Sequence, residues 1–177
     1  NVDLEIVVVV AAAGQRQQES APQVISAMGA ANTVDRLDAG DAPAWQHSIR
    51  TMQPGLSYVS LYVGLEGDIA AAGASSANHW IYESEDIGAL WHDPAGGDAP
   101  SLYVSFPSTK DAGERAHPTA EVMAMVDHAA FAPWLALPAN ERPEAYIALK
   151  ARVQQRLLAQ FLRHFPAMQP MLRLHEL

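Results

Sequence analysis

The chain has 177 residues, 49% of them hydrophobic and 18% charged, enough for one domain with a real core or for a domain and part of another. A formal net charge of −9 argues against nucleic acid, which needs clustered Lys and Arg, and gives no attraction to an anionic membrane. Cysteine is absent, which excludes disulfides, thiolate chemistry and cysteine zinc sites.

The N-terminal stretch NVDLEIVVVVAAAG carries two acids and no Lys or Arg before its apolar run, the wrong start for a secretory leader. Four consecutive valines read as a buried strand. No apolar run reaches the ~18–20 residues of a transmembrane segment. The expectation is a cytoplasmic chain, with peripheral association with a membrane left open. The apolar run begins at once and the chain stops in LRLHEL, so both ends read as cuts inside a larger protein.

Residues 3–12 read as a strand, residues 14–20 as a turn and residues 23–27 as a second strand, which together predict a hairpin. Asn32 is placed to cap a short helix through Leu37. Residues 38–43 read as a loop and residues 44–52 as one or two helical turns. Pro54-Gly55 marks a turn before the most strand-like stretch of the chain, residues 56–65.

Alternation there puts Leu56, Tyr58, Ser60, Tyr62 and Gly64 on one face and Ser57, Val59, Leu61, Val63 and Leu65 on the other. The second set suits a core. Tyr58 and Tyr62 suit either an ordinary half-exposed face or the wall of a cleft. Residues 79–84 and 101–106 have the same strand character, and the three stretches are expected as the middle of one sheet. Residues 67–77 are dominated by Ala, Gly and Ser. Ser75 sits in GASSA, which lacks the second glycine of a nucleophile elbow, so a turn past small residues is the better reading. Residues 83–99 and 107–118 read as loops, the first anchored by Trp91-His92.

Residues 119–128 read as a helix, with Thr119 as its cap and Val122, Met125, Val126 and Ala129 as its stripe. Pro133 ends or kinks it. Asn140 is expected to cap the longest helix, with Pro143 in its first turn. Tyr146, Leu149, Val153, Leu157, Phe161 and Phe165 recur at helical spacing, while Lys150, Arg152, Arg156 and Arg163 stay in water. The helix ends at Pro166, and a strand starts near Met171. The fold class is α+β: a mostly antiparallel sheet with helices packed on one face.

Seven histidines include no H-E-x-x-H and no close helical pair, so no metal site is expected. No motif supports a Ser/His/Asp triad. Neither G-x-G-x-x-G nor a Walker loop is present, so the chain holds no dinucleotide cradle of its own.

QVISAMGAANTVDRL, at residues 23–37, resembles the flavoprotein group of phytoene desaturases, carotenoid isomerases and retinol saturases, in which such a strand leads from the flavin domain into the substrate domain. SYVSLYVGLEGD (57–68), NHWIYES (78–84) and SLYVSFPSTKD (101–111) are similar to that group's substrate-domain segments. HPTAEVMAMV, a long basic-faced helix and a final strand follow in the expected order. The glycine-rich FAD motif and the C-terminal flavin motif of the group are absent from the chain.

The resemblance implies the substrate-binding part of an FAD-dependent oxidoreductase or isomerase acting on a hydrophobic polyene or isoprenoid-like substrate. Residues 1–31 would be a remnant of the FAD-binding domain and residues 32–177 the substrate-binding domain. The remainder of the parent chain would supply the missing FAD-binding domain, so FAD is expected in the intact parent and not on this piece, which alone is expected to be inactive. Ser26, Ala27 and Gly29 match the segment near the flavin, and the same small residues suit a tight strand-to-helix turn equally well. Tyr58, Tyr62, Trp80 and Tyr82 are the candidates for lining a substrate cleft. No catalytic acid or base is assigned. Exposed sheet edges leave homo-oligomerisation open, and a non-enzymatic α+β binding or assembly module is the alternative from a different functional class.

Overall fold

A computed structural model describes residues 6–12, 15–37, 44–52, 56–111, 117–138 and 141–177, with the backbone alone at 6–12 and 15–20. The chain divides into two compact units, Asn1–Gln53 and Pro54–Leu177.

In the first unit the valine run forms β1 (Ile6–Ala12), paired antiparallel with β2 (Gln15–Ala21) from Ile6↔Ala21 to Ala12↔Gln15. The expected hairpin is present, but its second strand is the polar run read as a turn, not residues 23–27. The pairing resumes at Gln15, directly opposite Ala12. Backbone pairing of this kind needs no apolar side chains. Residues 22–29 are exposed and belong to no strand.

They lead into α1 (Ala30–Val34), whose N-cap is Gly29 with φ 86° and ψ 154°. That conformation favours glycine. Asn32 is therefore inside the helix and not its cap, and its side-chain amide donates to Met28 O at 3.0 Å. α2 (Ala44–Thr51) is the expected short helix. Arg50 ties it to α1 by donating to Val34 O at 3.2 Å, with Asp35 at 3.7 Å.

The second unit is a five-stranded antiparallel sheet in the order β4-β5-β6-β3-β7 with one long helix on it. β3 (Ser57–Leu65) buries Leu61, Val63 and Leu65 and exposes Tyr58 and Tyr62, as its alternation requires. β4 (His79–Tyr82) pairs with β5 (Ser101–Ser105), whose Leu102 and Val104 are buried. The expected trio is thus in one sheet but not contiguous. β4 lies at an edge, and β6 (Thr119–Val126) separates β5 from β3.

β6 is the stretch expected as a helix. Its burial alternates, with Ala120, Val122, Ala124 and Val126 in the core and the residues between them partly exposed. Ala, Met and Glu favour helices in isolation, but pairing on both sides overrides that preference. The chain then leaves the sheet through a 3-10 segment, His128–Trp134, capped by Asp127, which accepts from the N–H of Ala129.

α3 (Glu144–His164) starts after Pro143 and carries Leu149, Val153, Leu157 and Phe161 on one buried stripe. Asn140, the expected cap, lies outside the described residues. The stripe joins Leu61, Val63, Val104, Phe106 and Val122 in a single core, closed by Phe165 and Met168. After a 3-10 segment, Pro166–Met171, β7 (Leu172–Glu176) returns antiparallel to β3. Trp91 anchors the 83–99 loop as expected. It is buried, it forms an isolated bridge to Val126, and its indole N–H donates to Gly97 O at 3.0 Å.

The candidate functional site: the open face of the sheet

Cross-strand partners in an antiparallel sheet point to the same side, so the register maps the face away from α3. One row runs Trp80, Tyr103, Met123, Ser60 across four strands. The next runs Ser105, Glu121, Tyr62, Glu176. On the other side of the first row, Tyr82 faces Ser101 and Met125 faces Tyr58.

Tyr58, Tyr62, Trp80 and Tyr82 are 57%, 58%, 60% and 45% exposed, so none of the four is in the helix-facing core. They form two pairs, on β3 and on β4. Three inter-strand steps, about 14 Å at the usual spacing, separate the pairs. Tyr103 and Met123 fill the interval, with the Trp80 and Tyr103 rings 4.9 Å apart and inclined at 66°. Gly64 keeps the β3–β7 edge close, since a β-carbon there would come within 3.3 Å of Leu174 Cβ.

One corner of this face is polar and built by the SFPSTKD turn. Lys110 donates to Ser105 Oγ at 2.8 Å and to Asn78 Oδ1. Thr109 Oγ1 lies within donating distance of Phe106 O (2.7 Å) and Ser75 O (2.9 Å). Ser108 Oγ accepts the N–H of Thr119. These bonds fix the turn to the start of β6 and to the small-residue segment before β4. Ser75 therefore serves as a structural acceptor through its carbonyl, while its hydroxyl lies 3.4 Å from His79 Nε2. The His79 ring packs edge-on against Phe106 and Phe165.

The face offers flat aromatic and thioether contact with a hydroxyl-rich border. Apart from the long 3.4 Å contact of Ser75 Oγ with His79 Nε2, no hydroxyl–imidazole pair occurs among its described residues, and among the described residues no group of three His, Asp or Glu could hold a metal ion.

Ser26, Ala27 and Gly29 belong to the first unit. All three are exposed. Ser26 Oγ and Thr33 Oγ1 are 2.6 Å apart, and Thr33 Oγ1 donates to Gly29 O at 2.7 Å. A side chain at Gly29 would meet nothing within 4 Å.

Sequence reasoning did not single out Tyr103, Met123 or Met125 for this face. Tyr103 was legible from its alternation with the core residues Leu102 and Val104. The methionines were hidden by the helical reading of β6, although their odd positions alternate with Ala124 and Val126. The Lys110–Ser105–Asn78 cluster carries no signal in the sequence, because its members are joined across a turn and a neighbouring strand.

The chain is similar to the all-trans-retinol 13,14-reductase of Danio rerio, with 34% identity over 101 residues, covering 51% of this chain and 17% of that protein. It is similar to the human all-trans-retinol 13,14-reductase, with 26% identity over 162 residues, 84% of this chain and 27% of that protein. The same-named protein of Macaca fascicularis is 28% identical over 100 residues, 51% of this chain and 16% of that protein. The chain thus spans less than a third of the length of the curated relatives it matches. No family model matches it. No solved structure matches it. Among the described residues no helix is long and apolar enough to cross a membrane.

Proposed function

We propose that this chain is the substrate-facing part of an FAD-dependent oxidoreductase or isomerase that acts on a hydrophobic polyene or isoprenoid-like molecule. In this reading residues 32–177 are the substrate-binding domain and residues 1–31 belong to the FAD-binding domain of the intact protein. The observation that carries it is the row of Trp80, Tyr103 and Met123, flanked by Tyr58, Tyr62 and Tyr82, on the sheet face away from α3. Flat rings give a conjugated chain large contact area, and each ring loses little side-chain entropy on binding. Two of the relatives that carry the name all-trans-retinol 13,14-reductase support the same substrate class.

The exposed run of small residues at Ser26, Ala27 and Gly29 fits close approach of a flavin, since nothing near Gly29 obstructs it. FAD, when bound, supplies the redox chemistry. This chain's own residues supply a wall that holds the polyene, excludes water from it and fixes which of its bonds is presented.

In the full-length protein, Tyr62→Ala is expected to lower kcat/KM for a polyene substrate about tenfold, the effect of roughly 1.4 kcal/mol of lost contact, with flavin content unchanged. Unchanged kinetics would remove Tyr62 from the substrate wall. Loss of flavin without a substrate effect would move the face to the cofactor. Full-length protein that binds neither flavin nor polyene would favour the alternative, a binding or assembly module that uses the face for a protein partner.

A further inference from the structure

Beside β3, between the His128–Trp134 segment and the start of α3, lie two adjoining cavities. The first, about 210 Å³, is lined by Val59, Ser60, Phe131, Tyr146, Lys150 and Leu177. The second, about 290 Å³, is lined by Trp134, Leu135 and Leu137, with Glu141 and Arg142 at its border. Phe131 and Tyr146 belong to both, which makes one continuous groove. Of the residues in the open-face rows, Ser60 alone lines it.

The aromatic walls are held in place. Trp134 and Tyr146 meet edge-to-face with centroids 5.7 Å apart. The Arg142 guanidinium lies 5.3 Å from the centre of the Tyr146 ring and is committed to the carbonyls of Pro138 and Glu141. Lys150 differs. Among the described residues it has no hydrogen bond and no ion pair, yet it lines one end of an apolar groove. An ammonium on such a wall is complemented best by a carboxylate, since charge-assisted hydrogen bonds are about twice as strong as neutral ones. Glu141 at the far end repels an anion, so the charged head belongs at Lys150 and the apolar body along Phe131, Tyr146 and Trp134. The chain's net charge of −9 does not draw an anion from a distance, so the affinity must come from these short-range contacts.

We propose that this groove binds a small carboxylate-headed amphiphile, with its head on Lys150 and its apolar body on the aromatic wall. It is a site separate from the aromatic rows of the open sheet face and does not depend on their assignment.

The test is a fluorescence titration of the purified protein with 11-(dansylamino)undecanoate and with its uncharged carboxamide. Wild type should bind the carboxylate saturably and about tenfold more tightly than the amide, the usual worth of one charge-assisted contact. In Lys150→Met that ratio should fall to about one, and Lys150→Arg should restore most of it. Tyr62→Ala should leave carboxylate binding unchanged. The absence of saturable binding to wild type, a ratio that survives in Lys150→Met, or loss of binding in Tyr62→Ala would each overturn the proposal.

Discussion

Gln160, near the C-terminal end of α3, grips both backbone groups of Ala99: its Oε1 accepts the Ala99 N–H at 2.8 Å and its Nε2 donates to the Ala99 carbonyl at 2.9 Å. Both residues are buried. The amide thus satisfies two polar groups of a loop that enters the core without a strand to pair with. Gln160→Leu should destabilise the protein by about 2–4 kcal/mol, because it strands a buried donor and a buried acceptor. Urea unfolding checks this, and a loss below about 0.5 kcal/mol would mean the loop finds other partners.

Glu83 accepts from the same Gln160 Nε2 at 3.2 Å and lies 3.1 Å from His164 Nε2 and 3.5 Å from Arg163. The hydrogen bond from His164 is the main reason its carboxyl titrates below the ordinary carboxylate range. Partial burial opposes that shift, and Gln160, the His164 charge and Arg163 add to it. A carboxyl with a depressed folded pKa contributes stability above its unfolded value, near 4.5, and loses it as pH falls through the folded value. The side chain is about a third exposed, so the contribution should stay under ~1 kcal/mol. The stability difference between wild type and Glu83→Gln should therefore be full at pH 7, begin to shrink as pH falls past about 4.5, and be lost once the pH drops through the lower folded value. Asp127, whose carboxyl is held low chiefly by the N–H of Ala129 and then by His92, gives a slope of the same sign in both proteins and cancels in the comparison. A difference that persists at low pH would sink this account.

Leu157 is fully buried on the α3 stripe, and Leu157→Ala should cost about 2–5 kcal/mol. Arg156 was expected in water but is half-buried. Its Nε donates to Ala95 O at 3.1 Å, and Asp98 lies 3.6 Å from its Nη1. Arg156→Ala should accordingly cost about 1 kcal/mol, more than a free surface change. Thermal or urea melts that rank Arg156→Ala above Leu157→Ala would reverse the assignment of the helix faces.

The strongest periodic signals were legible in the sequence. β3 and α3 follow from Leu61, Val63 and Leu65 at period two and from Leu149, Val153, Leu157 and Phe161 at period four. β6 was not, because residues 119–126 are apolar enough on both faces to satisfy either period, and their composition favours the helix. That one misreading hid both the strand order and the methionines of the open face. The second strand of the hairpin was hidden for the opposite reason, since QRQQESA has no apolar face to read. Two of the Gln160 bonds join residues 61 apart, a distance at which no local pattern operates.

The central claim is that the face carrying Trp80, Tyr103, Met123 and Tyr62 is a wall against the polyene. A diazirine-bearing retinoid, photolysed on the full-length protein and mapped by peptide mass spectrometry, tests it most directly. The account predicts adducts on β3, β4, β5 and β6 at the open-face positions, Tyr58, Tyr62, Trp80, Tyr82, Tyr103 or Met123, competed away by unlabelled substrate. Competable adducts confined to α3 or to the groove around Lys150 and Trp134, with none on the open face, would contradict it.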